Sequence, residues 1–195
     1  ERDMATSQVD LVGEEQTRNL ARAAVVAALA GATAPVALTH PLAPGVPITL
    51  QTLWVVLAGL ILGPVWAGVA FVLYLLAGAL GLPVFAGARG GLGNFLDPTG
   101  GFLVSFPVAA VVVGLVAHGT GAPGAPNEVP VARVLAAVVA GSLVVYTLGA
   151  VGFSILTATA LTSAVVTVVL PFLPVAALKT VAAVAVVRSD ALVAQ

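Results

Sequence analysis

A polar, glycine-rich segment interrupts a chain that is otherwise very apolar. It runs from Gly81 to Phe102, reads GLPVFAGARGGLGNFLDPTGGF, and holds Arg89, Asn94 and Asp97. Glycines let the backbone turn sharply and leave N–H groups able to approach a ligand closely. Irregular backbone of this kind is tolerated at membrane depth where it is buried in protein or lines a polar cavity. The segment is therefore the first candidate for a ligand-binding loop.

Two common phosphate-binding motifs do not fit this segment. No lysine follows its glycines and no strand precedes them, so it is not a P-loop, and it lacks the dinucleotide-binding fingerprint. The Asp97-Pro98-Thr99-Gly100 run has the residue preferences of a type I turn. For Asp97 we therefore favour a structural role in a turn.

Four further polar side chains lie in apolar stretches, namely Gln51, Tyr74, Tyr146 and Lys179. A base inside a membrane span costs about 2.5–3.5 kcal/mol on the insertion scale, which makes Lys179 a functional candidate. The alternative is that Lys179 reaches the interface from near the end of its helix. Gln51 is either a link between helices or a binding-site donor, and the tyrosines are either site residues or interfacial anchors.

The composition predicts an integral membrane protein. Of 195 residues, 60% are hydrophobic, and there are only seven Lys and Arg and eight Asp and Glu. Soluble domains have about a quarter charged residues. The net charge of −1 argues against nucleic-acid binding, and the absence of cysteine excludes thiolate metal sites. We expect no metal, no cofactor and no catalytic residues, and we interpret His40 and His118 as solvated residues near helix ends.

The apolar runs predict an all-α protein with six transmembrane helices. Residues 1–19 form a polar cytosolic tail and residues 20–192 the membrane domain. A tight reversal is expected at Gly63-Pro64, and prolines 171 and 174 should separate a short segment from the last span, because proline ends or kinks helices. The predicted spans cover residues 20–38, 48–62, 64–82, 101–118, 131–157 and 174–192. We expect the first run to be a retained helix and not a signal peptide.

The basic residues predict the orientation of these spans. Six spans place both termini on one side, and lysine and arginine favour the cytoplasmic side. The bases that fit cytoplasmic termini are Arg2, Arg18, Arg22, Arg133 and Arg188. Arg89 and Lys179 are the exceptions.

Small residues recur every four positions along the first span. One track comprises Ala23, Ala27 and Gly31, and a second comprises alanines 24, 28 and 32. Tracks of small residues allow another helix to approach closely. The alternative is chance, because alanine is abundant here.

Three motifs resemble those of the BioY family, the biotin-specific S components of energy-coupling factor (ECF) transporters. They are VPITLQTLWVVLAGLILGPVWAG (46–68), LYLLAGALGLPVFAG (73–87) and DPTGGF (97–102). The resemblance implies the S-component fold, biotin as the transported ligand and no enzymatic activity. It also implies ECF partners, a transmembrane coupling subunit and ATPase subunits, which agrees with the lack of a Walker A motif.

The resemblance also implies roles for individual residues. Gln51 matches the glutamine of the PITLQ motif, Lys179 matches a family lysine, and Phe102 stands where a tyrosine is usual. Small residues of the first helix, here Ala23, Ala27 and Gly31, are expected to dock on the coupling subunit. The predicted ligand-binding set is Gln51, Arg89, Gly91, Asn94, Phe102, Tyr146 and Lys179.

The acid that usually precedes the family lysine is absent, and Ala176 occupies its position. Biotin's ureido N–H groups need acceptors, so Asn94, Gln51 or a backbone carbonyl should replace the acid. One hypothesis is that Asp97 compensates by pairing with Lys179, although the turn role for Asp97 is favoured. The alternative functions are an S component for a different vitamin or small carboxylate and, more remotely, a membrane-embedded enzyme.

Overall fold

The chain is mostly helical. The computed structural model describes residues 13–43, 45–121 and 123–189, and these contain six α-helices and one two-stranded antiparallel sheet. The elements are α1 (Glu14–Ala32), β1 (Ala37–Thr39), β2 (Pro47–Thr49), α2 (Gln51–Ala79), α3 (Gly100–His118), α4 (Val131–Thr157), α5 (Leu161–Val168) and α6 (Leu173–Arg188). Four of these stretches are long and apolar enough to cross a membrane: α2, α3, α4 and the combined segment Leu161–Arg188.

Helix α1 is displaced along the chain from the first predicted span. It begins at Glu14, inside the predicted tail, and ends at Ala32. Glu14 and Glu15 lie in its first turn, where negative charge is favourable beside the N-terminal end of the helix dipole. Pro35 prevents continuation, and the chain enters β1. The predicted end of the sixth span at Leu192 lies outside the described residues, and α6 ends at Arg188.

Helix α2 consists of two helical halves joined at Gly63. This residue has φ 72° and ψ −179°, a backbone conformation that is essentially restricted to glycine. The Nε2 of Gln51 lies 2.7 Å from the hydroxyl of Tyr74, 23 residues further along the chain. A straight helix would separate these residues by about 34 Å. The two halves therefore run back alongside each other, which confirms the reversal predicted at Gly63-Pro64.

His118 stabilises this reversal. Pro64 has no N–H, so the carbonyl of Leu60 loses its partner one helical turn further on. The Nε2 of His118, at the end of α3, lies 2.9 Å from that carbonyl oxygen and donates to it. His118 lies near a helix end and is half-buried, and in addition to its partial exposure it is a structural hydrogen-bond donor.

The core lies where α2, α3 and α4 pack closely through glycines. A Cβ atom at Gly114 would lie 2.4 Å from the backbone nitrogen of Pro64, and one at Gly101 would lie 2.7 Å from the carbonyl oxygen of Leu148. Small residues of this kind allow membrane helices to approach backbone to backbone. The α3 end of this rigid core carries part of the cavity described below.

Replacing Gly63 by alanine tests the reversal. We expect Gly63→Ala to lower the free energy of unfolding by about 1–3 kcal/mol, because alanine is strained at this φ and ψ. Its Cβ would also lie 3.2 Å from Pro123. The measurement is the thermal unfolding midpoint of the detergent-purified protein. Gly121→Ala is the matched control, because nothing lies within 4 Å of its Cβ and its φ is not positive. Equal midpoints for the two variants would contradict the account of α2.

Candidate functional site

A cavity opens between the β-hairpin, the 81–102 segment, and the ends of several helices. It contains about 650 Å³ of empty space when the solvent in its open mouth is counted. We call it the site cavity. Its walls combine aromatic side chains with a few polar ones: Val46, Pro47, Thr49, Gln51, Thr52, Phe85, Ala86, Arg89, Thr99, Phe102, Leu103, Phe106, Val145, Tyr146, Phe172 and Lys179.

Lys179 lines the site cavity from α6, and its ammonium group donates to a residue of α2. Its Nζ lies 2.6 Å from the Oγ1 of Thr52, the residue after Gln51. Within the described part of the chain, no carboxylate lies within 4.0 Å of this nitrogen. Ala176, one turn earlier, lines a second, adjoining cavity that also reaches Lys179. Lys179 therefore has further N–H donors available to a ligand.

Gln51 supplies an acceptor to the site cavity, and its orientation follows from its neighbours. The hydroxyl of Tyr74 donates its one hydrogen to the carbonyl of Val84 at 2.9 Å. The Tyr74 oxygen must then accept from Gln51, so the nitrogen of the amide faces Tyr74 at 2.7 Å. The Oε1 atom of Gln51 makes no hydrogen bond among the described residues, and Gln51 lines the cavity. Its carbonyl oxygen is left to accept from a ligand.

Arg89 lies at the mouth of the cavity and pairs with Asp97. The Nη1 of Arg89 lies 2.5 Å from the Oδ2 of Asp97, and the two side chains are 47% and 40% exposed. Asp97 also begins the predicted turn, since the N–H of Gly100 donates to its carbonyl at 2.7 Å. The structure contains no direct ion pair between Asp97 and Lys179, because Asp97 pairs with Arg89 and Lys179 donates to Thr52.

The middle of the cavity is aromatic. Phe102, Phe106 and Phe172 line it together with Tyr146. Phe102 packs directly over Gly149 of α4, where any Cβ atom would lie 2.3 Å from the ring. Because Gly149 has no side chain, the Phe102 ring can pack directly against the backbone of α4. These faces suit a flat or saturated ring system.

The β-hairpin is fastened over the cavity by His40. Its Nδ1 accepts from the N–H of Leu42 at 3.1 Å, so its Nε2 carries the proton and donates to the carbonyl of Pro171 at 3.0 Å. The imidazole also packs on Phe172 with ring centroids 4.7 Å apart. His40 is buried, which corrects its interpretation as a solvated residue.

Two members of the predicted binding set lie in the loop and not on the cavity wall. The Nδ2 of Asn94 donates to the carbonyls of Gly90 at 2.8 Å and Gly91 at 3.0 Å. Gly91 has φ 95°, and its N–H donates to Gly78 at 2.7 Å. Asn94 and Gly91 therefore shape the loop, whereas Gln51, Arg89, Phe102, Tyr146 and Lys179 line the cavity.

The predicted docking track on α1 packs mainly inside the chain. Ala23 and Gly31 are buried, Ala27 is half-buried, and a Cβ atom at Gly31 would lie 2.8 Å from Val84. Buried residues cannot present a surface to a partner, which corrects the docking role predicted for this track. The second track faces outward, since alanines 24, 28 and 32 are exposed.

Sequence reasoning missed several cavity residues. Thr52, the partner of Lys179, follows Gln51 directly, and this adjacency was an available signal. Tyr74 was noted as polar, but its role in orienting Gln51 depends on the reversal of α2. Phe106 and Phe172 carry no sequence signal that separates them from other apolar positions.

Several curated proteins are similar to this chain in sequence. Curated relatives include a probable biotin transporter BioY of Pyrococcus horikoshii, 50% identical over 70 residues, and a biotin transporter BioY of Rhodobacter capsulatus, 47% identical over 116 residues. These matches cover 36% and 58% of this chain, and the chain spans only 43% and 57% of those two relatives. A biotin transporter BioY of Rhizobium etli is 39% identical over 68% of this chain and 72% of its own.

A solved structure and a family model cover most of the chain. The crystal structure of the S component for biotin from an ECF-type ABC transporter matches with a TM-score of 0.74 and 23% identity, over 91% of this chain and 93% of that one. This likeness shows the fold. The model of the BioY family matches residues 4–194. The chain is a multi-pass membrane protein and belongs to the BioY family.

Proposed function

We propose that this protein is the biotin-binding and translocating S component of an ECF transporter. The observation that carries the proposal is that a free acceptor and free donors both line the site cavity. The acceptor is the Oε1 of Gln51, and the donors are on Lys179, which is anchored to Thr52. Relatives named as biotin transporters support the choice of ligand.

The groups of biotin match the groups of the cavity. The ureido carbonyl accepts from the Lys179 ammonium, and one ureido N–H donates to the Gln51 carbonyl oxygen. The fused rings pack against the phenylalanine faces, which Phe102 and Phe106 contribute from α3. The valerate carboxylate reaches Arg89 at the mouth, where a charge-assisted hydrogen bond forms. Gln51 thereby supplies the acceptor that Ala176 does not.

We further propose six membrane crossings with both termini in the cytoplasm. The two halves of α2 count as two crossings because they reverse at Gly63. The crossings are then α1, the two halves of α2, α3, α4, and α5 with α6. Arg133 near the start of α4 and Arg188 at the end of α6 are on the same side as the N-terminus, as the preference of bases for the cytoplasm requires.

The coupling subunit docks on the face of α1 that points away from the rest of the chain. The exposed alanines 24, 28 and 32 allow a helix of the coupling subunit to approach closely. The sequence contains no Walker A motif, so ATP is hydrolysed by ATPase subunits. The plasma membrane is the site of this assembly.

One observation favours a second candidate ligand, a different vitamin or a small carboxylate. Ala176 gives no side-chain acceptor, and it lines the adjoining cavity beside Lys179. A ligand with a carboxylate at its inner end would pair with Lys179 directly. Competition between labelled biotin and such carboxylates distinguishes the two candidates.

Removing the ammonium group of Lys179 tests the proposed ligand contact. We expect Lys179→Ala to weaken biotin binding at least tenfold, about 1.4 kcal/mol, measured by calorimetry on the purified protein. Leu178→Ala is the control on the same helix, because Leu178 is 71% exposed and does not line the site cavity. Equal biotin affinities for the two variants would show that Lys179 does not contact the ligand.

Single cysteines test the proposed orientation. The chain has no cysteine, and a Cβ atom at Gly93 or Gly121 meets nothing within 4 Å. In intact cells, Gly93→Cys should react with an impermeant maleimide added outside. Gly121→Cys, in the loop before α4, should react only after lysis. The reverse pattern would invert the topology.

A further inference from the structure

Among the described residues at the cavity mouth, Arg89 is the cation that suits an acidic ligand tail, and it is already paired with Asp97. Arg89 lines the site cavity, and its guanidinium donates to the carboxylate of Asp97. A guanidinium binds a carboxylate best through two parallel N–H donors. A ligand carboxylate that reaches the mouth must therefore share Arg89 with Asp97 or displace it.

The backbone holds both residues independently of their ion pair. Phe85 and Arg89 exchange two backbone hydrogen bonds, of 2.8 and 3.1 Å, around Ala88 at φ 58°. Asp97 is fixed by the turn that closes on Gly100. Removing the carboxylate of Asp97 therefore leaves Arg89 at the mouth with its charge uncompensated.

From this arrangement we propose that Asp97 is a specificity-determining residue that competes with the ligand's carboxylate for Arg89. The inference rests on the proposed function, because it requires a ligand whose acidic tail points outward. Asp97 lowers the preference of the site for an acidic tail over a neutral amide tail. The competition is limited in size, since an exposed ion pair changes an equilibrium by only about two- to fivefold. It also weakens as salt rises, because exposed charges are screened.

The test compares biotin with biotinamide, which has the same rings and a neutral tail. The readout is the ratio of their dissociation constants, measured by calorimetry at low salt for the full chain in detergent. Asp97→Asn removes the charge and keeps a residue that favours the first position of a type I turn. We expect this variant to raise the preference for biotin over biotinamide about two- to fivefold. Added salt should reduce the gain.

A substitution at Arg89 tests the same competition if Asp97→Asn fails to fold. Arg89→Gln should bring the two dissociation constants together, because neither tail then meets a cation at the mouth. Suppose that the wild type binds biotin. If Asp97→Asn leaves the ratio of the two dissociation constants unchanged, or if Arg89→Gln keeps the wild-type ratio, Asp97 does not compete with the ligand for Arg89. The proposed function then still stands. If the wild type binds neither ligand, both fail.

Discussion

The hydrogen bond between Gln51 and Tyr74 connects the fold of this protein to its binding site. It joins the two halves of α2 across the reversal at Gly63. The hydroxyl of Tyr74 in turn donates a hydrogen bond to the carbonyl of Val84 in the glycine-rich segment. At membrane depth polar groups need partners within the protein or from a ligand, because bulk water is not available to them. One chain of hydrogen bonds thus fixes the α2 hairpin, the loop and the direction of the Gln51 amide.

The helices that form the site are buried inside the protein to different extents. In α2, 72% of the apolar window is buried, whereas in the segment that contains α5 and α6 only 17% is buried. Lys179 therefore reaches the cavity from the least buried of the four candidate spans found among the described residues. Its bond to Thr52 is a direct link back to α2. A ligand held between Gln51 and Lys179 adds a second link between these helices.

Much of the architecture could be predicted because membrane solvation imposes simple rules. Apolar length and proline positions indicated α3, α4, the reversal at Gly63-Pro64 and the break before α6. The start of α1 could not be obtained from hydropathy, because Glu14 and Glu15 are polar residues that the helix dipole favours. The face of α1 was also misjudged, since Ala23 and Ala24 differ only in what packs against them.

The binding residues were predicted unevenly for a related reason. Gln51 and Lys179 stand out because polar groups are costly in apolar helices. Asn94 and Gly91 stand out because they lie in a polar, glycine-rich segment of an apolar chain, but the Asn94 side chain satisfies the loop's own carbonyls. The pairing of Arg89 with Asp97 depends on how a turn and a loop meet in space, and spacing along the sequence does not reveal it.

In the proposed complex, the free oxygen of Gln51 replaces the missing acid as the acceptor for the ureido group of biotin. An experimental structure of the protein with bound biotin is the decisive measurement. We expect a ureido nitrogen about 2.7–3.2 Å from the Oε1 of Gln51, with the ureido oxygen directed at the Nζ of Lys179. Biotin bound the other way round, with its carboxylate on Lys179 and its rings at Arg89, would rule out this role of Gln51.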